Sequence, residues 1–224
     1  MRQSSLLDII SPIMVGPSSS HTAGAVRLGL LAKNVYDQQI EKITFKLYNS
    51  YAQTGKGHGT DKGLLAGVLG LAVDDVRIKD IFNADITKNI DYHFEYYNDF
   101  NRHPNAVDFI FEGKNKMEIS GESIGAGEIA IRKINNFSVK FTGKYNTLLL
   151  VYKDIKGMIS KVSTIIQAED VNIASLHCDR SGKGETASMC ICLDGQLNND
   201  AMKKIEEIEH IHMVRYVRKL EHWT

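Results

Sequence analysis

From residue 147 onward the apolar pattern runs strand, helix, strand, strand, helix, strand, and few folds accept that order. Residues 147–152 read as a strand and 157–169 as a helix with Ile159, Val162, Ile165 and Ile166 on one face. Residues 173–178 and 185–193 read as strands joined through Ser181-Gly182-Lys183-Gly184. A second helix at 199–208 and a last strand at 212–220 complete the series. The βαββαβ order is that of the ferredoxin-like split unit. Gly143 to Asn146 reads as the linker in front of it.

The preceding residues read differently. Residues 43–49 alternate as a half-buried strand with Ile43, Phe45 and Leu47 inward, and strand-like segments recur at 92–97, 107–111, 117–120, 128–134 and 137–141. Asn135-Asn136 suits a tight hairpin turn. Helical patterns occupy 23–35 and 62–71, and Gly55-Lys56-Gly57-His58-Gly59-Thr60-Asp61 reads as a Gly-rich loop. The fold class is therefore α+β, with a mixed-sheet α/β domain at 1–144 and the βαββαβ domain at 147–224. A chain that is 43% hydrophobic and 24% charged has the material for packed cores.

Charge and cysteine content narrow the partners. Lys+Arg and Asp+Glu each number 27, so no basic face is visible and nucleic acid is not an expected partner. No apolar run approaches the ~20 residues that cross a bilayer. Leu6, Leu7, Ile9 and Ile10 are interrupted by Asp8 and Pro12, which does not make an export signal. No membrane association and a cytoplasmic location follow as expectations. Cys178, Cys190 and Cys192 are odd in number. Cys190 and Cys192 share one strand face, which favours burial over a disulfide or a metal pair.

Chemistry concentrates in Gly16-Pro17-Ser18-Ser19-Ser20-His21-Thr22-Ala23-Gly24. Three serines and a histidine stand where a loop becomes a helix. A helix N-terminus has N–H groups without partners and a positive dipole end, so it accepts a carboxylate or phosphate. One cap needs one serine, and the surplus polar groups point to a ligand. His21, His58 and His103 all fall in segments rich in Gly, Ser, Pro or Asn. If these segments converge, Ser18, Ser19, Ser20, Thr22, Thr60, Asp61 and Asn105 line a polar pocket. The structural alternative is that each histidine caps or packs locally.

Three sharper readings lack support. Spacing does not favour a trihistidine metal site, and no metal ligand is assigned. A phosphate-binding P-loop fails because Ser50 stands at its first glycine and Gly57 follows Lys56 where a hydroxyl is needed. A Ser20–His21–Asp61 triad lacks the nucleophile-elbow pattern.

The motif extended to Ser11-Pro12-Ile13-Met14-Val15-Gly16, together with Gly55–Asp61 and His103-Pro104-Asn105, resembles the iron–sulfur-dependent L-serine dehydratases. The match is to the beta chain of the two-polypeptide form. The resemblance implies conversion of L-serine to pyruvate and ammonia with a four-iron four-sulfur cluster held by the alpha chain, so this chain alone is expected to be inactive. His21 and His58 are the implied catalytic residues, with the serines, Thr22, Thr60, Asp61 and Asn105 on the substrate. The first domain resembles the allosteric substrate-binding fold of certain phosphoglycerate dehydrogenases, and the tail resembles an ACT module. That second resemblance implies self-association through the ACT domain and an effector site at Asp154, Gly157, Met158, Asn172 and Ile173, with L-serine the expected effector. Lys156 replaces the proline usual before the turn glycine. The competing expectation is a non-catalytic amino-acid-sensing regulatory protein.

Overall fold

The computed structural model describes residues 15–221, so Ser11–Met14 of the extended motif and the Leu6–Pro12 stretch lie outside the described residues. The chain divides into two compact units between Asn135 and Asn136. In the first, a π-helical turn at Ser19–Ala23 runs into helix α1 (Gly24–Tyr36), followed by strand β1 (Ile40–Tyr48), α2 (Ser50–His58) and α3 (Thr60–Val68). Two 3-10 segments, Val76–Asn83 and Asp85–Thr87, lead to β2 (Asp91–Tyr97), β3 (Ala106–Gly113), β4 (Met117–Gly125) and β5 (Glu128–Ile134). Within this unit the strands lie in the order β2-β1-β3-β4-β5. β1 and β2 run parallel and the remaining pairs antiparallel, which makes the sheet mixed.

Alternation along β1 buries Ile43, Phe45 and Leu47, as the sequence pattern requires. Phe45 stacks on Phe94 at 4.7 Å and meets Phe109 edge-on at 5.7 Å, which ties three strands together. α1 buries Leu28, Leu31, Ala32 and Val35 and lies against β4 and β5, while α3 packs on α1. That helix pair meets backbone to backbone. A Cβ added at Gly29 would lie 2.5 Å from the Leu64 carbonyl, one at Gly63 2.8 Å from the Thr22 carbonyl, and one at Gly67 would run into the Val26 carbonyl.

The segment expected to be a Gly-rich loop is instead two helices and a break. α2 ends at His58, Gly59 takes the left-handed conformation at φ 74° and α3 starts at Thr60. Local propensity is overridden at the start of α2. Asn49 turns the chain out of β1 with φ 51° and ψ −114°, a conformation that disfavours a side chain. Its amide compensates: Nδ2 donates to the Asp99 and Arg102 carbonyls and Oδ1 accepts from the Asp99 N–H. Tyr51 then plants the first turn of α2 in the core.

The second unit holds β6 (Phe137–Phe141), β7 (Asn146–Lys153), α4 (Met158–Ala168), β8 (Ile173–Arg180), β9 (Thr186–Leu193), α5 (Asn199–Glu206) and β10 (Ile211–Val217). Strands β7 to β10 form an antiparallel sheet in the order β10-β7-β9-β8, the ferredoxin-like arrangement. Asn135, at φ 50°, occupies the expected two-residue turn between β5 and β6. The core joins Leu148, Leu150, Tyr152, Met189 and Ile191 to the inner faces of α4 and α5. One expectation is corrected: α4 buries Met158, Val162 and Ile166, whereas Ile159 is exposed. The inward stripe starts at Met158, the first residue after the left-handed Gly157, which rotates Ile159 about 100° away from it.

Replacing Gly67 by Ala should destabilise the chain by about 2–3 kcal/mol in urea unfolding, because the methyl group meets main chain that cannot yield. Gly57 faces open space in α2, and Gly57→Ala should instead stabilise by about 0.5–1 kcal/mol. Equal effects at the two positions would contradict the packing described.

Candidate functional site

Ser18 is extended, at φ −143° and ψ 129°, and its Oγ accepts from the His21 N–H at 3.2 Å. The Thr22 N–H returns to the Ser18 carbonyl at 2.9 Å, and the Gly24 N–H reaches back to the Ser19 carbonyl. The wide π-turn thus satisfies the third N–H of the helix through the cap. The N–H groups of Ser19 and Ser20 have no acceptor among the described residues. Two N–H groups at the positive end of an 18-residue helical run are suited to a carboxylate. π-helical turns of this kind recur at functional sites.

The turn is tied to the helix break by Thr22, which is buried and donates from Oγ1 to the His58 carbonyl at 2.7 Å. Gly16 (φ 131°) lies so close to Thr22 that any Cβ would fall within 2.5 Å of its methyl group. Beneath the turn, the Ser20 carbonyl accepts two hydroxyls, Tyr51 at 3.0 Å and Ser123 at 2.9 Å. The 103–105 loop joins this layer. Tyr51 N–H donates to the Pro104 carbonyl, Ser123 N–H to the Asn105 carbonyl, and Asn105 Nδ2 to the Ser123 carbonyl at 3.4 Å.

His21 is held on both ring nitrogens. Nδ1 lies 3.2 Å from Ser20 Oγ, and Nε2 lies 3.2 Å from both Ser50 Oγ and Thr54 Oγ1. Thr54 already gives its hydrogen to the Ser50 carbonyl at 2.9 Å, so its oxygen accepts from Nε2–H. The network therefore assigns the proton to Nε2 and leaves Nδ1 to accept from Ser20. Burial, and then the neighbouring His58, hold the His21 pKa below the usual 6.5, so the ring is neutral at pH 7. The His58 ring is 5.2 Å from that of His21 and is exposed. Ser50, Thr54 and His58 recur every four residues, which puts them on one face of α2 toward His21.

Of the residues singled out by sequence, the structure brings Ser18, Ser19, Ser20, His21, Thr22 and His58 together, with Asn105 one layer below. Thr60 and Asp61 lie beside Gly55 and, among the described residues, make no hydrogen bond to the serine turn; Thr60 Oγ1 and Asp61 Oδ1 are buried without a partner there. The Asp61 carboxylate accepts from the Tyr96 hydroxyl at 2.7 Å, and Lys56 sits 5.0 Å from that ring. Burial raises the Asp61 pKa, while Tyr96 and Lys56 oppose the shift. Asp61 therefore stands apart from a Ser20–His21 pair. His103 caps its own loop, its Nδ1 accepting from the Asn105 N–H at 3.1 Å. Sequence reasoning missed Ser50, Tyr51, Thr54 and Ser123. The S-x-x-x-T-x-x-x-H spacing of 50, 54 and 58 signals a shared face only once the segment is read as a helix.

In the second unit, Asp154 accepts from the Gly184 N–H at 3.1 Å and from Arg180 at 3.3 Å, and Asn172 Nδ2 donates to Asp194 at 2.7 Å. Met158 is a core residue, Ile173 is half-buried, and Gly157 (φ 85°) borders open space. Cys190 and Cys192 are buried along β9 and Cys178 is exposed on β8. Among the described residues no three His, Cys, Asp or Glu side chains converge as a metal requires. Nor is any described helix long and apolar enough to cross a membrane.

The two units match known families and proteins. The ACT domain family model matches residues 146–210, and the serine dehydratase beta chain model matches residues 5–89. The L-serine dehydratase beta chain of Peptoniphilus asaccharolyticus is 36% identical over 97% of this chain and 99% of its own length. The probable L-serine dehydratase beta chain of Bacillus subtilis is 34% identical over 96% and 98%. The L-serine dehydratase of Helicobacter pylori strain J99 is 32% identical over 62% of this chain, which corresponds to 35% of that longer protein. The chain belongs to the serine dehydratase beta chain family and carries an ACT domain.

The lowered His21 pKa has a testable sign. The unfolded chain takes up a proton near pH 6.5 that the folded chain resists. Stability held above that pH is lost as pH falls through the folded value. The urea midpoint of wild type should drop between pH 7 and 5 more steeply than that of His21→Asn. Parallel profiles would show that His21 is not held neutral by its surroundings.

Proposed function

We propose that this chain is the beta subunit of an L-serine dehydratase and brings the carboxylate-binding part of the active site to an alpha chain. In that reaction L-serine loses its α-proton and its hydroxyl as water to give aminoacrylate, which water converts to pyruvate and ammonia. The observation that carries the reading is the Ser18–His21 turn, with two N–H groups that have no acceptor among the described residues beside two imidazoles of unlike exposure. The Ser19 and Ser20 N–H groups receive the substrate carboxylate and fix which end of the molecule faces the partner. His58, exposed at the end of its helix, moves the proton. His21, neutral and gripped by three hydroxyls, keeps the α2 face in register with the turn.

The alpha chain supplies the four-iron four-sulfur cluster, whose Lewis acidity serves departure of the hydroxyl. The 62%-to-35% overlap with a single longer L-serine dehydratase supports the need for a second component. The ACT unit is the regulatory part: it self-associates through the β8 edge of its sheet and takes L-serine at the open Gly157 turn. The protein works in the cytoplasm.

Anaerobic reconstitution with the alpha chain, followed by pyruvate formation from L-serine with each chain omitted in turn, tests this function. Neither chain alone should produce pyruvate. In the reconstituted complex His58→Ala should lower kcat by about 10²–10⁴-fold, the range for loss of a positioned proton-transfer group. Wild-type turnover in that variant would remove His58 from the chemistry.

A further inference from the structure

Two side chains outside the serine-histidine motif converge on it from below. Tyr51, from the first turn of α2, and Ser123, from β4, are both 0% exposed, and both donate to the Ser20 carbonyl, at 3.0 and 2.9 Å. A carbonyl oxygen has two lone pairs, and this one has a hydroxyl donor for each. The peptide unit is planar, so holding the Ser20 carbonyl also fixes the His21 N–H on its opposite edge. That N–H is itself tied to Ser18 Oγ at 3.2 Å. Both edges of the Ser20–His21 peptide are therefore clamped. The clamp sets the orientation of the adjoining peptide, which carries the Ser20 N–H, a donor with no acceptor among the described residues.

The approach of Ser123 is built in. A Cβ at Gly24 would collide with the Ser123 hydroxyl and lie 3.1 Å from its Cβ, so only glycine at that position lets Ser123 reach the turn. Tyr51 also braces the His21 ring edge-on, at 5.3 Å between centroids. We infer that Tyr51 and Ser123 are positioning residues that set the affinity of the turn for the substrate carboxylate by clamping the Ser20 peptide. The inference rests on the carboxylate-binding reading above. Preorganisation of this kind acts on binding, because a loose peptide must be ordered each time a ligand arrives.

The test uses the reconstituted alpha–beta complex and the free beta chain. Tyr51→Phe keeps the ring and removes the donor, and Ser123→Ala is the second variant. Each should raise KM for L-serine about tenfold and keep kcat within about twofold. In the free chain each variant should speed exchange of the His21 amide at least about tenfold and leave the Phe45 amide unchanged. A merely structural role would lower the amount of active enzyme at unchanged KM, and that result overturns the inference. Wild-type KM in both variants overturns it as well, even where the unmodified complex prefers L-serine to L-serinamide. Equal turnover of L-serine and L-serinamide by the unmodified complex would instead defeat the carboxylate reading itself.

Discussion

One hydrogen bond joins the two motifs on which the site depends. Thr22 and His58 are separated by 36 positions, yet the hydroxyl of the buried Thr22 donates to the His58 carbonyl at 2.7 Å. Glycine gives Thr22 room for the bond: a Cβ added at Gly16 would lie 2.5 Å from its methyl group, and one added at Gly63 would lie 2.8 Å from its carbonyl. The donor belongs to the π-turn before α1 and the acceptor to the end of α2. The relative placement of the two imidazoles is therefore set by one buried side chain held against main chain. Backbone contact between α1 and α3 through Gly29 and Gly67 reinforces the same geometry from the other side.

A turn of this kind has a cost that the structure distributes. The π-turn and the left-handed Asn49 are both uncommon conformations, and each is held by more hydrogen bonds than a plain loop would have. The Ser20 carbonyl beneath the turn has two hydroxyl donors, whereas the Ser19 and Ser20 N–H groups have no acceptor among the described residues. Buried donors without partners are costly, and donors at a ligand-facing edge are satisfied on binding. Asp61 follows another logic. Its buried carboxylate accepts from the Tyr96 hydroxyl and makes no hydrogen bond to either imidazole among the described residues.

Much of this arrangement is legible in the amino-acid sequence. The alternation of Ile43, Phe45 and Leu47, the Asn-Asn turn and the βαββαβ order each announce local structure through period and turn chemistry. The Ser18 cap follows from residue type as well. α2 was not legible, because Gly55, Gly57 and Gly59 depress helix propensity. The segment is helical through tertiary contacts, namely the Asn49 amide bonds and burial of Tyr51. With α2 hidden, the shared face of Ser50, Thr54 and His58 was hidden too. Grouping by polarity could not show that the Asp61 carboxylate meets Tyr96, since side-chain type carries no information about which partner it finds.

The central claim is that the Ser19 and Ser20 N–H groups receive a carboxylate that the alpha chain then acts upon. The structure of the assembled alpha–beta complex with L-serine bound tests this most directly. The account predicts the substrate carboxylate at hydrogen-bonding distance, about 2.7–3.2 Å, from both N–H groups, with His58 at the substrate. A carboxylate held by other residues, with the Ser18–His21 turn facing bulk solvent, would contradict it.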